Sequence, residues 1–180
     1  MSTATLMTVE QFAHMKTADT EDYELVAGEL IPLSSGTPQH GQIRDLITFF
    51  MVGYFKQHPI GKSIAEIDCQ LNETTVRRAD LSIFLGERAR QIDGKKIPIP
   101  FPPDIAIEVL SPSETAIGVN SKVHAYLSAG CKEVWLVDAD NCDVFVHSVE
   151  GVRLFQAKHQ LESPLLPGFS VPVAELLAQP

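Results

Sequence analysis

The sequence predicts an α/β domain with an additional β-hairpin near each end. One basis is a long helix over residues 38–57, where apolar residues recur every three or four positions. A second is the strand, helix and strand succession over residues 105–110, 119–129 and 133–137, which is typical of a βαβ unit. The third is a pair of extended runs around a turn in both the first and the last third of the chain.

The first elements are a short helix and the N-terminal hairpin. Thr8 and Gln11 form a capping box, and apolar residues at helical spacing follow it. Residues 23–26 and 29–31 are extended runs on either side of Gly28, a residue type that tolerates the positive φ of a tight turn. We therefore expect a helix and then a hairpin.

The middle of the chain is predicted to be rich in strands. The long helix ends before Pro59, because proline cannot continue a helix. Residues 88–103 are predicted to form a surface loop. Short extended runs separated by turn residues predict strands at 63–68, 70–71, 79–85 and 105–110.

The pattern in the last third of the sequence predicts the second hairpin. Residues 144–146 and 152–155 are extended runs around Gly151, and residues 173–178 resemble a terminal helical turn.

Length and charge limit the classes of function. With 180 residues, 44% of them apolar, the chain can bury one core, and we expect a single domain over residues 1–180. The formal net charge of −9 repels phosphate backbones on average. It argues against a general nucleic-acid binder, so any nucleic-acid role must depend on local patches and a metal.

The cysteines and the hydropathy pattern indicate a cytoplasmic protein. Cys69, Cys131 and Cys142 are odd in number and lack the spacing of a zinc knuckle, so we expect reduced thiols. The most apolar stretch, residues 46–55, is too short to cross a bilayer, and the N-terminus lacks a basic and then apolar leader. We expect a cytoplasmic location and no membrane partner.

Two acidic residues lie in strands that are otherwise apolar. Alternation places Asp80 on the face of Ser82 and Phe84 in one strand, and Glu108 on the face of Ala106 in another. A buried carboxylate is costly without a partner. Because a hard divalent ion such as Mg²⁺ accepts two carboxylates and water, the pair predicts a metal site. An ion-pair network is the alternative explanation.

A lysine lies on the apolar stripe of the next helix. Val119, Lys122, Val123 and Tyr126 share that stripe at spacings of three and four residues. The Lys122 ammonium can turn to solvent, or it can extend across the strand ends toward the two acids, with Tyr126 in support.

Together these residues resemble the Uma-two family of restriction-endonuclease-like proteins, which is assigned to the PD-(D/E)xK nuclease superfamily. The resemblance covers nearly the whole chain and is carried by Thr8–Phe12, Glu24-Leu25, Gly28–Leu30, Arg78–Leu81, Ile107–Ser113, Lys122, Tyr126, Ala129-Gly130, Glu133–Asp138 and Ser163–Gly168.

The resemblance implies a restriction-endonuclease-like core, a central mixed β-sheet flanked by helices. It implies that Asp80 and Glu108 are the catalytic acids. The superfamily pattern places a lysine two residues after the second acid, where this chain has Leu110, so Lys122 resembles a migrated substitute. An adjacent helix can deliver an ammonium to the same place.

The resemblance also implies ligands and supporting residues. Mg²⁺ or Mn²⁺ would be held by Asp80, Glu108 and the main-chain carbonyl of Val109, and DNA would be the substrate. Glu29 and His40 match family positions: Glu29 is an auxiliary acid or an exposed hairpin residue, and His40 lines the site or simply lies at a helix end.

Two functions from different classes remain open. The first is a Mg²⁺-dependent endodeoxyribonuclease. Cleavage of both DNA strands would suit a symmetric homodimer, an expectation that rests on analogy. The second is a nuclease-like domain that binds nucleic acid or protein without turnover, suggested by Leu110, by Gly118 where relatives often carry an acid, and by the acidic charge. The sequence contains no GxSxG, GxxxxGK[ST], GxGxxG or HExxH motif for a rival chemistry.

Overall fold

A computed structural model describes residues 6–16, 23–33, 36–112 and 114–178. The helices are α1 (Val9–Lys16), α2 (Pro38–Gln57), α3 (Gly86–Gln91), α4 (Ala116–Ser128) and α5 (Val173–Leu176). The strands are β1 (Tyr23–Val26), β2 (Glu29–Pro32), β3 (Gly61–Asn72), β4 (Thr75–Leu85), β5 (Ile105–Val109), β6 (Glu133–Asp138), β7 (Asp143–Ser148), β8 (Gly151–Gln156), β9 (Gln160–Glu162) and β10 (Ser170–Pro172).

The centre of the fold is one mixed sheet of eight strands. Its order is β2-β1-β4-β5-β6-β7-β8, with β3 paired to β4 outside this path. Strands β5 and β6 are parallel and are joined through α4, whereas the neighbouring pairs are antiparallel. This arrangement confirms the predicted mixed sheet and its βαβ unit.

Helices α2 and α4 cover opposite faces of the sheet. Ile43, Ile47 and Met51 of α2 are buried with Leu81 and Ile107 in the largest core cluster. Val123 and Tyr126 of α4 are buried in another cluster that includes Ala106 of β5 and Val134 of β6. Successive residues of β5 therefore contact different helices, because side chains alternate between the faces of a strand. This alternation turns Glu108 toward α4.

Both predicted hairpins are present as β1–β2 and β7–β8. In the first turn, Ala27 and Gly28 have φ of 51° and 82°. Two positive φ values in succession define the two-residue turn whose twist matches that of the flanking strands. A side chain at position 28 would also meet Leu6, whose Cβ would lie 2.7 Å from an added Cβ.

The prediction that residues 88–103 form a surface loop is wrong in part. Its first residues lie in α3, where Ala89 is buried against Phe84. Further along, Ile99 is buried and forms a bridge with Cys69 of β3. The apolar residues of this segment cover the outer side of β3 and β4, so it packs on the sheet. The predicted strands at 63–68 and 70–71 are one continuous strand, β3.

The described helices include none long and apolar enough to span a membrane.

Candidate active site

The candidate site lies in a gap along one edge of β4. Strand β1 pairs with this edge at Val76, and β5 pairs with it from Leu81 to Ile83. Between these two contacts, carboxylates replace main-chain partners. Glu24 Oε1 accepts a hydrogen bond from the Arg78 main-chain N–H at 2.8 Å, and Asp80 Oδ2 accepts one from the Val109 N–H at 2.7 Å.

A cavity of about 260 Å³ opens at this gap, and we call it the main cavity. It is bounded by β3, β4, β5, α2 and α4. Ionisable side chains dominate its lining. They are His40, Arg44, Glu66, Arg78, Asp80, Glu108, Glu114 and Lys122.

Asp80 is held by α2 as well as by β5. His40 Nε2 donates a hydrogen bond to Asp80 Oδ1 at 2.8 Å, and Thr37 caps the helix three residues before His40. The hydrogen bond to Asp80 raises the pKa of His40, while burial opposes that shift. His40 thus lines the site, and both oxygens of Asp80 have fixed partners.

Glu108 is the most buried acid that lines the cavity, with 5% of its surface exposed. Tyr126, which is fully buried, donates its hydroxyl to Glu108 Oε1 at 3.2 Å, and Lys122 Nζ lies 3.3 Å from Oε2. Burial raises the pKa of Glu108 to about 8; Lys122 lowers it, and the charge of Asp80 raises it further. Burial therefore disfavours the charged form of Glu108, and the nearby ammonium of Lys122 does not offset that effect.

Lys122 points inward rather than to solvent. Its ammonium lies between Glu108 and Glu114, 2.9 Å from Glu114 Oε1, and 21% of its side chain is exposed. Burial alone lowers the pKa of Lys122, but the charge of Glu108 and the hydrogen bond to Glu114 raise it above its ordinary value. Lys122 therefore stays cationic at physiological pH.

Glu114 was not predicted as a site residue. Its Oε2 accepts a hydrogen bond from the Ser111 N–H at 3.0 Å, which ties the loop after β5 to α4. The available signal was an acid three residues after a serine at a helix entry, a spacing that indicates a local backbone bond. Nothing in that spacing indicates the contact with Lys122.

Glu24 was also missed; it lies at the gap along β4 but is not part of the lining of the main cavity. Glu24 is 2% exposed and forms an ion pair with the buried Arg77, with Oε2 2.6 Å from Nη1. Glu29 is exposed at the start of β2, opposite Val26, and does not line the main cavity. The edge position of β2 keeps Glu29 away from the other acids, so the structure does not bring this residue into the site.

Two arginines at the rim of the main cavity are held by acids of β3. Arg44 Nη1 lies 2.7 Å from Glu66 Oε1, and Arg78 Nε lies 2.9 Å from Asp68 Oδ1. Glu66 has a φ of 49° and sits between the residues of β3 that pair with Leu81 and Ala79. Such strained backbone is often found at functional sites.

The donor set of the main cavity fits a hard divalent cation. Oxygen ligands suit Mg²⁺ and Mn²⁺. Within the described ranges, no three His, Cys, Asp or Glu residues form a complete metal cage, so main-chain oxygen and water would have to complete the coordination. Four carboxyl groups (Glu66, Asp80, Glu108, Glu114) line the cavity together with three cations (Arg44, Arg78, Lys122) and His40. The lining therefore has no excess of basic groups, and a divalent cation would add the positive charge that allows a phosphate to enter.

Comparison with known proteins identifies the family. The family described as "Uma2: Putative restriction endonuclease" matches residues 9–174. The chain belongs to the Uma2 family. The match spans every residue of the gap and of the main cavity, and it confirms the resemblance found in the sequence.

A solved structure shows that the fold of this Uma2 protein recurs. A crystal structure titled as "a putative nuclease belonging to DUF820 from Anabaena variabilis ATCC 29413" superimposes with a TM-score of 0.81. It is 21% identical, and the alignment covers 95% of this chain and 97% of that one. Among curated proteins no match is found. The nuclease-like fold is therefore shown.

Proposed function

We propose that this Uma2 protein is a metal-dependent nuclease that hydrolyses phosphodiester bonds of DNA. The observation that carries this proposal is the convergence of Asp80, Glu108 and Lys122 on one cavity. Two carboxylates can hold a divalent metal, and an ammonium can stabilise the charge that develops on phosphate oxygens, so this set suits metal-assisted phosphodiester hydrolysis. The family description and the nuclease-like fold support the same reaction.

Asp80, Glu108 and the main-chain carbonyl of Val109 would hold Mg²⁺ or Mn²⁺. When bound, such a metal supplies a hydroxide from water near neutral pH and neutralises phosphate charge. Glu108 would exchange part of its contact with Lys122 for the cation. The hydrogen bonds from His40 and from the Val109 N–H keep the Asp80 carboxylate oriented when no metal is bound.

Lys122 would act on the attacking water and on the transition state. Its ammonium lies 3.3 Å from Glu108, so it is within reach of a water or a phosphate oxygen bound beside that carboxylate. A preorganised cation stabilises the charge that develops on phosphate oxygens without costly reorganisation. Glu114 holds this ammonium in place, and Tyr126 holds Glu108.

The alternative is a nuclease-like module that binds nucleic acid or protein without cleavage. It is favoured by Leu110, which occupies the superfamily lysine position, and by the net charge of −9. In this reading the acids and Lys122 form a structural ion-pair network.

A cleavage assay separates the two functions. Purified protein is incubated with single- and double-stranded DNA and with RNA, in Mg²⁺, in Mn²⁺ and in chelator. Asp80→Asn and Glu108→Gln should abolish cleavage, whereas Glu73→Gln, which removes an exposed acid in the β3–β4 turn, should not. Cleavage that persists in chelator and in both site variants would exclude the proposed site. Absence of cleavage on every substrate would favour the binding module.

The cellular location and the oligomeric state of the protein bear on this activity. We infer a cytoplasmic enzyme, and a symmetric homodimer would suit cleavage of both strands because it presents two main cavities related by a twofold axis. Sedimentation of the protein with and without duplex DNA measures the oligomeric state directly.

A further inference from the structure

A second cavity, of about 250 Å³, adjoins the main cavity, and we call it the side cavity. It lies between the first turn of α2 and the β6–β7 turn. The two cavities share part of their lining, so a ligand in one is in contact with the wall of the other. The shared residues are Thr37, His40, Val109, Ser111 and Glu114.

The two cavities differ in chemistry. The main cavity contains all the lysine and arginine side chains of the pair, and the lining of the side cavity within the described residues contains none. Instead, the side cavity has the amides of Gln39 and Asn141 and the carboxylates of Asp138 and Asp140, beside an apolar surface that includes Ile43. A phosphate is repelled there, whereas a flat group with hydrogen-bond donors on its edge is accommodated.

The polar groups of the side cavity are not equivalent. Asp138 accepts hydrogen bonds from the Asn141 N–H at 3.1 Å and from Asn141 Nδ2 at 2.8 Å, so the turn is fixed. Asp140 accepts a long bond of 3.4 Å from Gln39 Nε2, which spans from α2 to the turn. A bond of this length is weak, so a ligand can replace it at little cost.

We propose that the side cavity binds an unpaired nucleobase with an exocyclic amino group, in the nucleotide next to the scissile phosphate. This inference rests on the proposed function and names the substrate class of the same site. Carboxylate and amide side chains are the groups that recognise the amino groups of cytosine and adenine. Thymine presents its single N–H between two carbonyls, which the oxygens of Asp138 and Asp140 repel.

The base must be unpaired because the side cavity is concave and shares its wall with the main cavity. A stacked and paired base presents only its groove edges, and enzymes that bind a whole base take it out of the helix or act on single strands. The structure therefore favours single-stranded DNA, or DNA with an unpaired nucleotide at the cut, over perfect duplex.

The first test measures binding without metal or cleavage. Deoxycytidine and thymidine are titrated into the whole protein and followed by NMR of the side-chain amides of Gln39 and Asn141. We expect saturable shifts with deoxycytidine and roughly tenfold weaker binding of thymidine, the discrimination that one good base contact supplies. In Asp140→Asn this preference should fall, because the new amide can donate to a thymine carbonyl. Glu150→Gln, an exposed change of equal charge at the β7–β8 turn, should retain it.

The second test measures cleavage of single-stranded oligonucleotides that differ only in the base beside the cut. We expect faster cleavage next to cytosine than next to thymine, and a smaller difference in Asp140→Asn. Metal-dependent cleavage without base preference, together with no saturable shift, would overturn this inference and leave the proposed function intact. Saturable nucleoside shifts in a protein that cleaves nothing would refute the proposed function and support the side cavity as a nucleobase site.

Discussion

Replacing Glu108 by glutamine should stabilise the metal-free protein while abolishing cleavage. Burial raises the pKa of Glu108 from 4.5 to about 8, so at pH 7 folding requires proton uptake or a buried charge that the unfolded chain avoids. At about 1.4 kcal/mol per pH unit, the interval from pH 4.5 to 7 corresponds to about 3 kcal/mol. Glutamine keeps the volume and can still accept the Tyr126 hydroxyl, so it avoids this cost.

The assay is thermal and urea unfolding in chelator between pH 4.5 and 8. For a domain of this size about 3 kcal/mol corresponds to a rise of roughly 6–12 °C in melting temperature. The gain should disappear near pH 4.5, where the folded carboxyl is protonated, and should grow as the pH rises. Glu73→Gln, an exposed acid, is the matched control and should change stability little. A loss of stability in Glu108→Gln at pH 7 would refute the reasoning, because it would make the contact with Lys122 net stabilising.

Three further outcomes test the site. Mn²⁺ at about a hundred times its Kd should stabilise the wild type by about 2.7 kcal/mol, and Asp80→Asn should remove the shift in thermal melting; an equal shift in the variant would place the metal elsewhere. Lys122→Met should lower kcat by roughly 10²–10³ with little change in KM; a change in KM alone would assign Lys122 to substrate binding. Glu24→Gln should cost about 3–5 kcal/mol in urea unfolding, since it leaves the buried Arg77 without its charge partner; a neutral result would show that Arg77 reaches solvent.

Much of the sheet and part of the site could be predicted because they depend on local periodicity. Alternation along β5 placed Glu108 on a buried face, and helical spacing along α4 placed Lys122 and Tyr126 on the stripe that faces it. The βαβ connection then fixes these two elements against each other. Local pattern and connection together indicated that these side chains could meet, although the sequence left open whether Lys122 turns to solvent; the structure places its ammonium 3.3 Å from Glu108.

Glu24 and Glu114 could not be predicted because their roles depend on features that periodicity does not encode. Glu24 bonds the main chain of Arg78, 54 residues away, and only the register between β1 and β4 places it there. Glu114 lies in the loop before α4, where no regular spacing predicts direction. Glu24 meets its partner at the gap along β4, and Glu114 meets Lys122 in the lining of the main cavity; both are tertiary features that no single strand or helix contains.

The leucine at position 110 is consistent with activity once the geometry of α4 is considered. Leu110 packs against the apolar cluster under α4 and also lines the side cavity. A lysine there would place an ammonium beside apolar groups, where burial disfavours its charged form. Lys122 reaches Glu108 from the helix instead, and Glu114 holds its charge. Moving the cation to α4 therefore places the ammonium in the main cavity and leaves the described lining of the side cavity without a lysine or arginine, which is the separation that the proposed phosphate and nucleobase sites require.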